Sequence, residues 1–144
     1  MKKTIYITLA IIAFTFGAAE TSLACSCLAP TGTPRTQVSN AYKDAAAIFS
    51  GTVKSVTPTA DGNDMIVTFT VKDTWKGAAV KEITIKTAKE SAMCGYHFED
   101  GKEYIVYAHG TAADLGVGNC SRTSGLSDNS DIKYLVKLKK KQKK

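Results

Sequence analysis

The sequence predicts an all-β domain with flanking short helices, its four or five short strands closed on themselves and stapled by two disulfides. Three observations predict this: short stretches alternating apolar and polar residues between glycine-containing turns, an even set of four cysteines, and an N-terminal segment that reads as an export signal.

The export signal comes first. Lys2 and Lys3 form a basic start, Ile5 to Phe16 is an apolar run, and Ser22-Leu23-Ala24 offers the small residues a signal peptidase reads. The run is too short and wrongly flanked for a spanning helix. We therefore expect a signal peptide over residues 1–24 and a mature chain beginning at Cys25. No later segment is long and apolar enough to be a transmembrane segment, so a secreted or periplasmic protein is expected. The alternative is lipidation of Cys25. A good lipobox wants Leu three residues before the cysteine, where this chain has Ser22, with Leu23 one place late. Lipidation would also leave three cysteines, an odd number, in an oxidising compartment. We expect an unmodified Cys25 amine.

A mature chain of about 120 residues suffices for one domain and one core. We place that domain at residues 25–138 and a basic C-terminal tail at 139–144. The chain carries a net charge of +6, and much of the excess sits at Lys133, Lys137, Lys139, Lys140, Lys141, Lys143 and Lys144. A basic tail can hold nucleic acid or anionic lipid. With no aromatic residue beyond Tyr134 to stack on a base, no nucleic acid is expected and the tail reads as a solvated terminus. A monomer is the default.

A short helix is expected near Thr36 to Ala47. Ala47-Ile48-Phe49-Ser50-Gly51-Thr52-Val53 then begins a strand leading towards Val56, with Pro58 interrupting its pairing. Asp61-Gly62 is a hairpin signal, because both residues tolerate positive φ. Ile66, Thr68 and Thr70 alternate with the apolar Val67, Phe69 and Val71, the period of two of a half-buried strand. Gly77 closes it at Trp75-Lys76-Gly77. Ile83 and Ile85 mark a third strand and Glu103 to His109 a fourth. A weak fifth is expected near Leu115 to Cys120. A second helix starts at Asp131, capped by Asn129 or Ser130, with Ile132, Leu135 and Val136 on one face. Phe49, Phe69 and Trp75 should be buried. Closing these strands into a barrel removes exposed edges.

The sequence has no Cys-x-x-Cys, no His-Glu-x-x-His and no Gly-x-Ser-x-Gly elbow. The lone His97 and His109 receive no role. Neither an enzyme nor a cofactor is expected. The informative feature is Cys25-Ser26-Cys27. In an extended chain both cysteines turn to one side, towards bridging partners, and Ser26 turns outward. A Cys25–Cys27 bridge would close a small strained ring, so each should reach one of Cys94 and Cys120. Two staples alone would account for the cysteines of a small exported domain.

Further residues carry a resemblance. The terminal Cys-x-Cys, Phe49-Ser50-Gly51, Thr74-Trp75-Lys76-Gly77, Glu90-Ser91-Ala92-Met93-Cys94-Gly95-Tyr96 with Gly101-Lys102-x-Tyr104, and Cys120-Ser121-Arg122-Thr123 resemble the inhibitory domain of the tissue inhibitors of metalloproteinases. The resemblance runs from Cys25 to about Leu126. It implies a five-stranded oligonucleotide/oligosaccharide-binding (OB) barrel with flanking helices, also called a netrin-like module, and the bridges Cys25–Cys94 and Cys27–Cys120. The family's third bridge in this domain has no cysteines here, and the separate C-terminal subdomain of the animal proteins is missing.

The resemblance implies a secreted inhibitor whose partner is a zinc metalloendopeptidase. The amine and carbonyl of Cys25 would chelate the partner's catalytic zinc, with Ser26 entering the primed-side pocket. Cys27 and the segment Ser91, Ala92 and Met93 would complete the inhibitory edge. A binding module on the same barrel, without inhibitory activity, is the other functional class.

Overall fold

The computed structural model describes residues 25–128 and 130–142. The expected signal peptide and Asn129 as a helix cap lie outside the described residues. Helix α1 (Pro34–Asp44) precedes β1 (Ala47–Pro58), β2 (Asp64–Lys76) and β3 (Glu82–Ala88). After a 3-10 turn at Ser91–Met93 come β4 (Glu103–Thr111), β5 (Asp114–Gly116), β6 (Ser124–Gly125) and helix α2 (Ile132–Gln142).

The strands run β1-β2-β3-β5-β4, and β4 pairs back onto β1, which closes a five-stranded barrel of the OB type. β1 makes this closure possible by serving two partners. Its first half, Ala47 to Thr52, pairs with β4, and register shifts along its pairing with β2 bend it round the barrel. Gly51 sits where β1 and β2 approach closely: a Cβ there would lie 2.6 Å from the Thr70 carbonyl oxygen. β1 extends through Pro58, opposite Met65, so the proline ends the strand without cutting it short. It does so in the half that pairs with β2 alone, where a missing N–H is tolerated. β3 and β5 meet in parallel through Lys86 and Gly116.

Alternation along the strands divides the apolar residues between two cores. Phe49, Val53, Val67, Phe69, Ile85, Phe98, Tyr104 and Val106 fill the barrel. Phe69 is fully buried and meets Phe49, Phe98 and Tyr104 edge to face, at centroid distances of 5.4, 5.3 and 6.5 Å. The intervening Ile48, Ile105 and Tyr107 point outward, under the helices, where they join Val38, Tyr42, Trp75 and Leu135. The run Tyr104 to Ala108 is therefore buried throughout, one set of residues in each core. Trp75 is buried as expected, but under the helices, and the Tyr42 hydroxyl donates to its carbonyl oxygen at 3.0 Å.

Several elements depart from the sequence reading. α1 begins at Pro34 because Thr33 caps it, accepting from the Thr36 N–H at 3.3 Å, and proline suits a first helical position. It ends at Asp44 because Ala45 is extended and the Ala46 N–H donates to the Ala108 carbonyl, starting the sheet. The fifth strand is only Asp114–Gly116, and the two-residue β6 beside β4 was not anticipated. In α2 the buried face is Leu135, flanked by Ile132, Tyr134 and Leu138, while Val136 is 40% exposed. The helix continues to Gln142, so residues 139–142 of the expected tail are helical. Among the described residues no helix is long and apolar enough to cross a membrane.

Candidate functional site

Two bridges join the first described residues to distant parts of the barrel: Cys25–Cys94 and Cys27–Cys120, with Cα separations of 5.1 and 5.2 Å. Both cysteines reach bridging partners as expected, and Ser26 between them is exposed, but Cys27 is exposed as well and only Cys25 is half-buried. The pairs span 69 and 93 positions of chain. Closing loops of that length contributes roughly 4 kcal/mol each through loss of unfolded-state entropy.

The segment facing the terminus is shaped by its own backbone. Ser91–Met93 forms one 3-10 turn, closed by Cys94, whose φ of 64° is the only positive non-glycine value among the described residues. The Cys94 N–H returns to the Ser91 carbonyl at 3.0 Å, and the Gly95 N–H reaches the Glu90 carbonyl at 3.1 Å. Gly95 is required there: a Cβ would lie 1.9 Å from the Ala88 carbonyl oxygen. Tyr96 is then anchored by its N–H on Thr87 Oγ1 at 2.8 Å.

These contacts make one clamped unit. Gly95 bridges Gly118, and the Asn119 N–H donates to the Cys94 carbonyl at 2.8 Å, so the two bridged loops are tied to each other as well as to the terminus. The bridges touch: Cys25 Sγ lies 3.8 Å from Cys120 Sγ. The Cys25 nitrogen donates to the Ala92 carbonyl at 3.2 Å. Ser26, Cys27, Ser91, Ala92 and Met93 are exposed along this edge, Met93 by 53%, and Cys25 is half-buried. The structure thus brings all six residues singled out in the sequence into one ridge. The sulfurs of Cys25, Cys27 and Cys120 lie within 4.8 Å of one another, but as disulfide sulfurs they offer a metal no thiolate.

Sequence reasoning missed two neighbours of the ridge. Leu28 is 98% exposed beside Cys27, and its only sequence signal is an apolar residue outside any alternating run. Beneath it lies a cleft of about 470 Å³ lined by Leu28, Gln37, Asn40, His109, Asn119 and Arg122 among others. Arg122 is held there by Asp131, with Nε to Oδ2 at 2.6 Å and Nη2 to Oδ1 at 3.0 Å, and it donates to Gln37 Oε1 at 3.1 Å. The buried Tyr107 hydroxyl donates to the same carboxylate at 2.9 Å. This network joins both helices to the loop after Cys120. The hydrogen bond to Asp131 raises the pKa of Arg122, and burial followed by the Asp131 charge raises that of Tyr107. His97 is exposed and outside the ridge.

No protein-family model and no curated protein matches this chain.

Proposed function

We propose that the protein inhibits zinc metalloendopeptidases through the ridge, with Cys25 as the zinc-binding residue and Ser26 as the residue entering the primed-side pocket. The observation that carries this reading is the clamped Cys25, next to an exposed Ser26 and alongside the exposed Ser91-Ala92-Met93 turn. A catalytic zinc has three protein ligands and an open position that holds water. The α-amino nitrogen and carbonyl oxygen of a terminal residue form a five-membered chelate with such a metal, displacing the water that serves as nucleophile. An α-amino group has a pKa of about 7.7–8, so a useful fraction is neutral near pH 7, and zinc displaces the remaining proton.

In the uncleaved chain the Cys25 nitrogen is a peptide N–H, which donates to the Ala92 carbonyl at 3.2 Å and so holds the residue against the Ser91–Met93 turn. Cleavage before Cys25 would turn it into an amine that can give one N–H to that carbonyl while its lone pair addresses the metal. Clamping also limits the ordering entropy that a loose terminus would lose on binding.

One added residue tests the reading. An alanine placed before Cys25 of the mature protein turns the amine into an amide without a basic lone pair and adds bulk at the metal. Assayed against a panel of zinc endopeptidases, the wild type should inhibit and the extended form should not, with equal thermal stability. Ser26→Gly should change affinity selectively among the enzymes, because it alters the pocket contact alone. Equal inhibition by the wild-type and extended forms would overturn the chelating terminus. No inhibition of any enzyme would favour a binding module, for which the Leu28–Arg122 cleft is the observed recess.

A further inference from the structure

We propose that the solvent face of α2 is a docking surface for an anionic phospholipid bilayer. Lys133, Lys137, Lys140 and Lys141 recur at i, i+4, i+7 and i+8, which places them on one side of the helix, and all four are exposed. The opposite side carries buried Leu135, with Ile132, Tyr134 and Leu138 packed on the second core. The lysine face is therefore fixed outward by packing.

No acidic side chain offsets the charge within the helix, and none of the four ion pairs among the described residues includes these lysines. Like charges at i, i+4, here Lys133 with Lys137 and Lys137 with Lys141, disfavour a helix in isolation. A negatively charged surface relieves that repulsion. The sequence adds Lys143 and Lys144 immediately after.

Two features favour a bilayer over a nucleic acid. Val136, 40% exposed, flanks the lysines and supplies an apolar group that can settle among lipid headgroups. The helix's single aromatic, Tyr134, is half-buried, with the Lys133 ammonium 5.0 Å from its ring centroid, which leaves no open ring for a base.

The lysine face runs away from the ridge: its first residue, Lys133, follows Asp131, which Arg122 ties to the loop after Cys120, whereas Lys139 in the last turns donates to the Thr74 carbonyl near the end of β2.

The test is co-sedimentation of the mature protein with vesicles of equimolar phosphatidylglycerol and phosphatidylcholine, against vesicles of phosphatidylcholine alone. Binding should occur only to the anionic vesicles and should be lost when ionic strength rises from about 0.05 M to about 0.5 M. The exposed quadruple variant Lys133→Gln, Lys137→Gln, Lys140→Gln, Lys141→Gln should bind roughly fivefold more weakly per lysine, on the order of several hundredfold overall. Equal sedimentation with both vesicle types, or salt-insensitive binding of the wild type, would overturn the proposal without reliance on the variant. Capture by a nucleic acid or a sulfated polysaccharide, with no vesicle binding, would overturn it in favour of a soluble polyanion.

Discussion

Phe69→Ala removes the ring on which the barrel core converges. Phe69 is fully buried and makes three edge-to-face contacts, with Phe49, Phe98 and Tyr104. Losing a buried phenylalanine to alanine costs about 3–5 kcal/mol, and aromatic pairs add about 0.5–1.5 kcal/mol each beyond area burial. The surrounding strands belong to a closed sheet and cannot collapse freely into the void, so the upper part of that range applies. Urea unfolding with both disulfides intact measures it. With a slope of about 1–3 kcal/mol per molar urea, the midpoint should fall by about 2 M at unchanged slope. Phe69→Leu, which keeps most of the volume, should lose clearly less. A midpoint shift in Phe69→Ala equivalent to less than about 1 kcal/mol would refute the inward facing of Val67 and Phe69.

Three further outcomes follow from the same structure. Gly95→Ala drives a Cβ into the Ala88 carbonyl oxygen, so it should cost on the order of 2–3 kcal/mol and weaken any function of the ridge; a melting temperature equal to wild type would contradict the close approach. The raised pKa of Tyr107 means that the folded state holds the hydroxyl proton more tightly than the unfolded state. Its contribution is full below the ordinary tyrosine pKa of about 10 and is lost as pH rises above it, so wild type should lose more stability than Tyr107→Phe between about pH 9 and 11. Mass spectrometry of the non-reduced exported protein should find an unmodified Cys25 at the N-terminus, linked to Cys94, and Cys27 linked to Cys120. A diacylglyceryl adduct on Cys25 would contradict the processing.

The strands were legible because their chemistry is periodic. Val67 and Phe69 stand two apart and both point inward, and Asp61-Gly62 does turn the chain, with φ of 73° at Gly62. Periodicity failed where an element is too short to show it, as in β5 and β6, or where both faces are buried. Tyr104 to Ala108 fills two cores at once, so the second core beneath the helices left no alternation to read. In α2 the run Leu135-Val136 offered two candidates for one buried position, and only packing against the barrel decides for Leu135.

The ridge was legible in part. Cys25-Ser26-Cys27 placed Ser26 outward from spacing alone, and the family resemblance, not the spacing, supplied the pairing with Cys94 and Cys120 that the structure contains. The left-handed conformation of Cys94 and the Gly95–Gly118 contact lie in a loop, where no pattern of residues announces them. Nor does any local signal join Gln37, Arg122 and Asp131, which are separated by 85 and 9 positions.

The central claim is that the Cys25 terminus occupies the open coordination position of a catalytic zinc. The most direct measurement replaces zinc by cobalt in the protease that the panel identifies as most strongly inhibited and records its visible spectrum during titration with the mature protein. Water displaced by a nitrogen–oxygen chelate takes the metal from four-coordinate towards five-coordinate, and the d–d bands should change with a one-to-one end point. The alanine-extended protein should leave the spectrum unchanged. Inhibition with no spectral change by the wild type would contradict the claim, because the ridge would then block the protease without touching its metal.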